Sequence, residues 1–144
     1  MTEDNKAPEA LHHIGIVVPA PRYDDLVRGL SRSFDGDVVD SGEDEALDIV
    51  WAWLPGPGGV LMEAVAPRSN ATTAITRFLD RTGGGLHHVS FETDRLDTCA
   101  ELLAGRGAST IGHHPDHGGW AEFFLAPSAV GGARLHWMQR VSSA

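Results

Sequence analysis

The sequence predicts an α+β fold made of two β-α-β-β-β halves within one domain. Three observations predict it. Leu11-His12-His13-Ile14-Gly15-Ile16 returns as Leu86-His87-His88-Val89-Ser90-Phe91, with an offset of 75 residues between His13 and His88. Each copy is followed by an amphipathic stretch of helical period. Each of those stretches is followed by two strand-like runs around a glycine-rich turn.

The elements follow in order. Residues 1–10 are polar and are expected to form a disordered tail. The first module covers 11–66. Its helix spans 22–34, with Leu26, Leu30 and Phe34 at four-residue spacing. A short strand covers 37–41, and strands at 47–54 and 60–65 flank Pro55-Gly56-Pro57-Gly58-Gly59. The linker, 67–84, holds an extra helix at 71–81, capped by Asn70 and stopped by Gly83-Gly84-Gly85. The second module covers 85–140. Its helix spans 95–105, with Leu96, Cys99, Leu102 and Leu103 on one stripe, which makes Cys99 a core residue. A short strand at 108–111 leads into a histidine-rich loop at 112–119, and strands at 120–125 and 133–139 complete the module.

Composition narrows the functional classes. A chain of 144 residues needs no disulfide to build a core. The net charge of −9, with Lys6 the only lysine, excludes nucleic acid and anionic membranes as partners, because phosphate binding depends on Lys and Arg. One cysteine excludes an internal disulfide and fits a reducing, cytoplasmic compartment. No apolar run approaches the ~20 residues of a membrane span, and the polar N-terminus does not read as a signal peptide. The eight histidines cluster.

Side chains alternate faces along a strand, and this decides which histidine of each pair matters. Ile14, Ile16 and Val18 share the face under the helix, while His13, Gly15 and Val17 take the other. In the second copy Val89 and Phe91 face the helix, and His88, Ser90 and Glu92 face away. His13 and His88 are thus equivalent, beside the small residues Gly15 and Ser90, which leave room for a ligand. On the last strand of each half, Glu63 and His136 stand 73 residues apart, close to the repeat offset. Three imidazoles and one carboxylate suit one divalent ion: Zn, Ni, Co, Mn or Fe. A histidine in a strand is also compatible with ordinary hydrogen bonding, so it is the symmetry of the set that points to metal.

Further residues qualify by position. Asp48 lies 15 residues before Glu63, and Glu122 lies 14 before His136. As near-equivalents they are expected to flank a substrate as acid and base. The plain alternative is a charged residue at a strand start. Trp120 shares parity with Glu122 and is expected to wall the site, with His114 and His117 overhanging it as substrate contacts. The alternative for that segment is a solvated loop. Trp51 and Trp53 share a face with Ile49 and are read as packing a core or a subunit interface.

Leu11 to Pro19, Gly84-Gly85-Leu86-His87-His88-Val89-Ser90-Phe91-Glu92, and Phe124-Leu125-Ala126-Pro127 with Gly131-Gly132 resemble the vicinal oxygen chelate superfamily. That group contains glyoxalase I, extradiol dioxygenases and bleomycin-binding proteins. The Gly-Leu-His-His pattern, preceded by 73–79, is most similar to the methylmalonyl-CoA epimerases. The resemblance covers about residues 11–140 and implies βαβββ modules forming a cupped mixed sheet, with helices on its outer face and a divalent metal within. It also implies a homodimer. By motif the metal ligands would be His13, Glu63, His88 and His136. Epimerases and glyoxalases usually carry Glu where this chain has His136.

The implied function is a metal-dependent isomerase, epimerase or lyase acting on a small carbonyl-containing substrate through an enolate-like intermediate. Acyl-CoA phosphates usually meet Lys and Arg. Only Arg68, Arg77 and Arg81 offer a local basic patch, so a smaller substrate fits the charge better. The alternative is a non-catalytic antibiotic-binding protein of the same fold. An extradiol dioxygenase ranks lower, because His136 would crowd its open coordination positions.

Overall fold

In the computed structural model, residues 9–141 are described. The chain forms two compact units, His13–His87 and, together, the residues up to His12 and those from His88 onward. The boundaries fall inside the two repeated strands, β1 (Ala10–Val17) and β5 (Gly85–Glu92). The class is α+β, with a βαβββ order in each half. Among the described residues no helix is long and apolar enough to cross a membrane.

In the first unit β1 is followed by α1 (Tyr23–Phe34), β2 (Asp40–Asp44), β3 (Ile49–Pro55), β4 (Leu61–Pro67) and α2 (Ala74–Thr82). The strand order is β2-β3-β4-β1. β1 runs parallel to β4, and the other pairs are antiparallel. Leu26, Val27 and Leu30 of α1 pack on Ile14, Ile16, Ala52, Leu54, Met62 and Ala64, the face expected from parity. Phe34 leaves this stripe and is 38% exposed. The helix ends there, on the left-handed Asp35 at φ 52°.

α2 lies outside the repeat and packs on the other face of its sheet. Its Ile75 and Phe78 meet Val17, Ile49 and Val65. Its N-cap is Thr73 rather than Asn70. The Thr73 hydroxyl accepts from Thr76 N–H while the Thr76 hydroxyl accepts from Thr73 N–H, a reciprocal pair that Asn70 is too far upstream to make.

In the second unit β5 leads to α3 (Leu96–Gly105), β6 (Thr110–His117), β7 (Trp120–Leu125) and β8 (Leu135–Arg140). The order is β5-β8-β7-β6, with β5 parallel to β8. Leu96 and Cys99 of α3 pack on Phe123, Leu125 and Trp137. The expected loop at 112–119 is instead mostly strand. β6 continues to His117 and returns through Gly118-Gly119, at φ 63° and 90°. Two such glycines close a two-residue hairpin that other residues would strain. Of the expected tail, residues 1–8 lie outside the described residues. Glu9 accepts a hydrogen bond from the Trp137 indole at 3.1 Å, and Ala10 opens β1.

Cys99 is fully buried, and burial raises its thiol above the ordinary value of 9.0. Burial likewise raises Tyr23 above 10.0, helped by the charges of Asp24 and Glu63. The unfolded chain therefore loses these protons first. The stabilisation is intact below about pH 9 and is lost as pH rises through the folded values. A pH series of thermal melts should show this alkaline decline, with part of it absent in Cys99→Ala. A maleimide should label Cys99 only after unfolding; rapid labelling of the native protein would contradict the burial.

Candidate functional site

The face of the first sheet turned away from α1 carries His13, Gly15, Trp53 and Glu63. Gly15 is the cross-strand partner of Glu63, and Trp53 is its partner on the other side. A glycine beside the carboxylate leaves space, and a tryptophan fills the flank. His13 is 3% exposed and Glu63 9%. His13 Nε2 lies 3.6 Å from Glu63 Oε2. The Trp53 indole N–H donates to the same oxygen at 2.6 Å, and its ring centroid is 5.6 Å from that of His13. An ionised carboxylate this buried requires such partners.

Trp53 is the residue that sequence reasoning missed. Its face is the one expected, shared with Ile49 and Trp51, but that is also the face of Glu63. The discriminating signal is register: counting back from Glu63 through the Pro57-Gly58-Gly59 turn reaches Trp53.

Asp48 is not brought to Glu63. It sits just before β3 in the left-handed conformation, at φ 55°. Its carboxylate accepts from the Ser69 hydroxyl, and its carbonyl accepts from Arg68 N–H at 2.9 Å. Nor is it the counterpart of Glu122. Glu122 pairs with Met138, two residues beyond His136, whereas Trp51 pairs with Val65, two beyond Glu63.

The second unit carries His88, Ser90, His136, Glu122 and Phe124 on the face away from α3. Ser90 Oγ lies 2.8 Å from His136 Nδ1, and Glu122 Oε2 lies 2.6 Å from His136 Nε2. Register explains the set. Ser90 and Phe124 are direct partners of His136, and Glu122 is its diagonal neighbour. The His88 ring stands edge-on to His136 at 6.2 Å. The order Ser-His-Glu matches that of a hydrolytic triad, but Ser90 is 0% exposed and cannot reach a substrate. Its work is to fix the imidazole.

The neighbours in each histidine pair are packing residues: His12 meets Trp120 at 5.4 Å, and His87 meets Phe78 at 4.9 Å. Trp120 also carries the Arg140 guanidinium over its ring at 4.2 Å. His114 and His117 lie on β6, opposite Glu122 and Trp120 respectively.

Residues 12–124 match the family described as the glyoxalase/bleomycin resistance protein/dioxygenase superfamily. The chain belongs to this superfamily. A search of curated proteins returned no match. Among solved structures, methylmalonyl-CoA epimerase from Mycobacterium tuberculosis aligns with a TM-score of 0.80 at 21% identity, over 92% of this chain and 88% of that one. A hypothetical protein from Bacillus halodurans aligns with a TM-score of 0.82 at 21% identity, over 94% and 97%. A variant of the Streptomyces coelicolor methylmalonyl-CoA epimerase, in complex with 2-nitronate-propionyl-CoA, aligns with a TM-score of 0.79 at 19% identity, over 95% and 100%. At these identities the likeness is one of fold.

Within this superfamily member the paired His13 and Glu63 differ from His88 and His136. The first pair leaves an imidazole nitrogen and a carboxylate oxygen 3.6 Å apart. In the second, both nitrogens of His136 are engaged by Ser90 and Glu122. The carboxylate that engages His136 stands on the neighbouring strand, as Glu122.

Proposed function

We propose that the protein is a metal-dependent isomerase, epimerase or lyase that moves a proton beside the carbonyl of a small substrate. One observation carries this reading: two buried donor atoms, His13 Nε2 and Glu63 Oε2, stand 3.6 Å apart. Two ligands of one zinc-like ion are separated by about 3.3 Å. The spacing is therefore nearly that of a filled site. Members of the superfamily commonly bind a divalent metal.

On the repeat we assign His13, Glu63 and His88 as ligands, a set that suits Zn, Ni, Co, Mn or Fe. A divalent ion held by them would polarise a substrate carbonyl. Trp53 orients Glu63 through its indole N–H. His136 can join the ligands only by releasing Ser90 or Glu122. In the arrangement present it serves with Glu122 as an acid-base pair, in which the carboxylate takes a proton and the imidazole, steadied by Ser90, stabilises or relays it. Asp48, bonded to Ser69, has no part in this reading. The drug-binding alternative gains nothing from Trp120, whose ring face Arg140 covers.

The test has two arms. Purified protein should contain about one tightly held divalent ion per chain at the His13 site, and His13→Ala and His88→Ala should lose it. Folded variants that keep the ion in full would end the ligand assignment. In deuterated water the protein should exchange the α-proton of methylmalonyl-CoA or of a smaller 2-substituted carbonyl acid. Metal retention without exchange on any such compound would favour binding over catalysis.

A further inference from the structure

We propose that the β6–β7 hairpin carries a second site for a borderline divalent cation, made by His114, His117 and Glu122 and sharing that carboxylate with His136. Each residue offers one ligand atom, and these atoms all lie within 4.8 Å of one another. Ligands of a bound zinc-like ion sit about 3.3 Å apart. Small side-chain movements on one hairpin close that gap. Two imidazoles and one carboxylate select Zn, Co or Ni over Mg or Ca.

The backbone shows how the set is assembled. His114 and His117 are three residues apart, and on a regular strand they would face opposite sides. The β6–β7 ladder shifts register between Ile111 and His114, and again between His114 and His117. The extra residue turns both histidines to the face of Glu122 and Trp120, and bulges commonly re-aim side chains in this way. The two rings stand edge-on at 5.6 Å. His113 faces the other side, stacked on Phe123 at 5.3 Å and bonded to Thr110. Asp116 is occupied in closing the turn, accepting from Gly119 N–H at 3.0 Å.

The carboxylate is also held from behind. Glu122 Oε2 is 2.6 Å from His136 Nε2, which is itself anchored by Ser90. A carboxylate has two oxygens, so Glu122 can keep His136 with one and offer the other. Such outer contacts orient metal ligands and strengthen them. The repeat does not account for the motif, because β2, the corresponding edge strand, contains no histidine. The partly exposed hairpin leaves coordination positions open to water.

The test is a calorimetric titration of chelator-stripped protein with Zn2+. It is run in a His13→Ala/His88→Ala background, so that failure of the assignment above is read separately. That protein should still bind one Zn2+ with micromolar affinity. Adding His114→Ala or His117→Ala should weaken binding by at least about 100-fold, whereas His113→Ala should leave it unchanged. His114 is exposed, so its loss leaves the core intact. The proposal is overturned if the background protein binds no Zn2+, if neither substitution weakens binding, or if His113→Ala weakens it equally. The last outcome would mark adventitious binding by surface histidines.

Discussion

Phe123→Ala will destabilise the protein by about 3–5 kcal/mol, a large part of the ~5–15 kcal/mol that holds a typical domain folded. Phe123 is fully buried among Cys99, Leu125 and Trp137. Its ring stacks on Trp137 at 5.5 Å and 9°, so truncation removes both transfer energy and a flat aromatic contact. Rigid neighbours on β8 and α3 limit collapse of the cavity. Thermal melts should fall by about 10–20 °C for a chain of this size. The urea midpoint should fall with an unchanged slope. Phe123→Leu, which keeps most of the volume, should cost about half as much or less. A loss below about 1 kcal/mol for the alanine variant would contradict this account of the core.

Glu63→Gln will leave the fold nearly intact and abolish the proposed metal site, weakening divalent-ion affinity by more than about 100-fold and removing solvent exchange with it. Glutamine keeps the volume, and its carbonyl oxygen can still accept from the Trp53 indole. What is lost is the negative charge beside His13, and a neutral amide is a poor ligand for a borderline cation. The melt should therefore move little while bound metal falls sharply. Trp53→Phe should act more gently, by about 10–100-fold, because it frees the carboxylate without neutralising it. Metal content unchanged in Glu63→Gln would remove Glu63 from the ligand set.

Much of the scaffold was legible because it rests on periodicity. The doubled Leu-His-His motif located β1 and β5, and period-two alternation placed His13 and His88 opposite the helical faces. The same rule put Glu63 and His136 on those faces. It failed where the chain leaves ideal geometry. The 15-residue spacing to Glu63 suggested a catalytic position for Asp48, but the left-handed turn there directs the carboxylate to Ser69. Parity grouped Trp53 with core aromatics, because relating it to Glu63 needs the register of the β3–β4 turn. The segment from Gly112 to His117 looked like a loop, since its glycine, proline and charged residues are poor strand formers. Pairing with β7 overrides that preference, and register shifts leave no sequence signature.

β2 and β6, each at one end of its unit's strand order, share a protective character. β2 reads Asp-Ser-Gly-Glu-Asp, and β6 contains Pro115 within the second of two breaks in its ladder. An open strand edge is a template for any passing chain, and its usual defences are charge, proline and bulges. One edge here repels by charge, and the other presents a broken ladder interrupted by a missing N–H. Copies of this protein are thereby discouraged from joining through these edges into a continuous sheet. The bulges that gather histidines around Glu122 thus also guard against aggregation, so straightening β6 by design would trade away solubility along with the cluster.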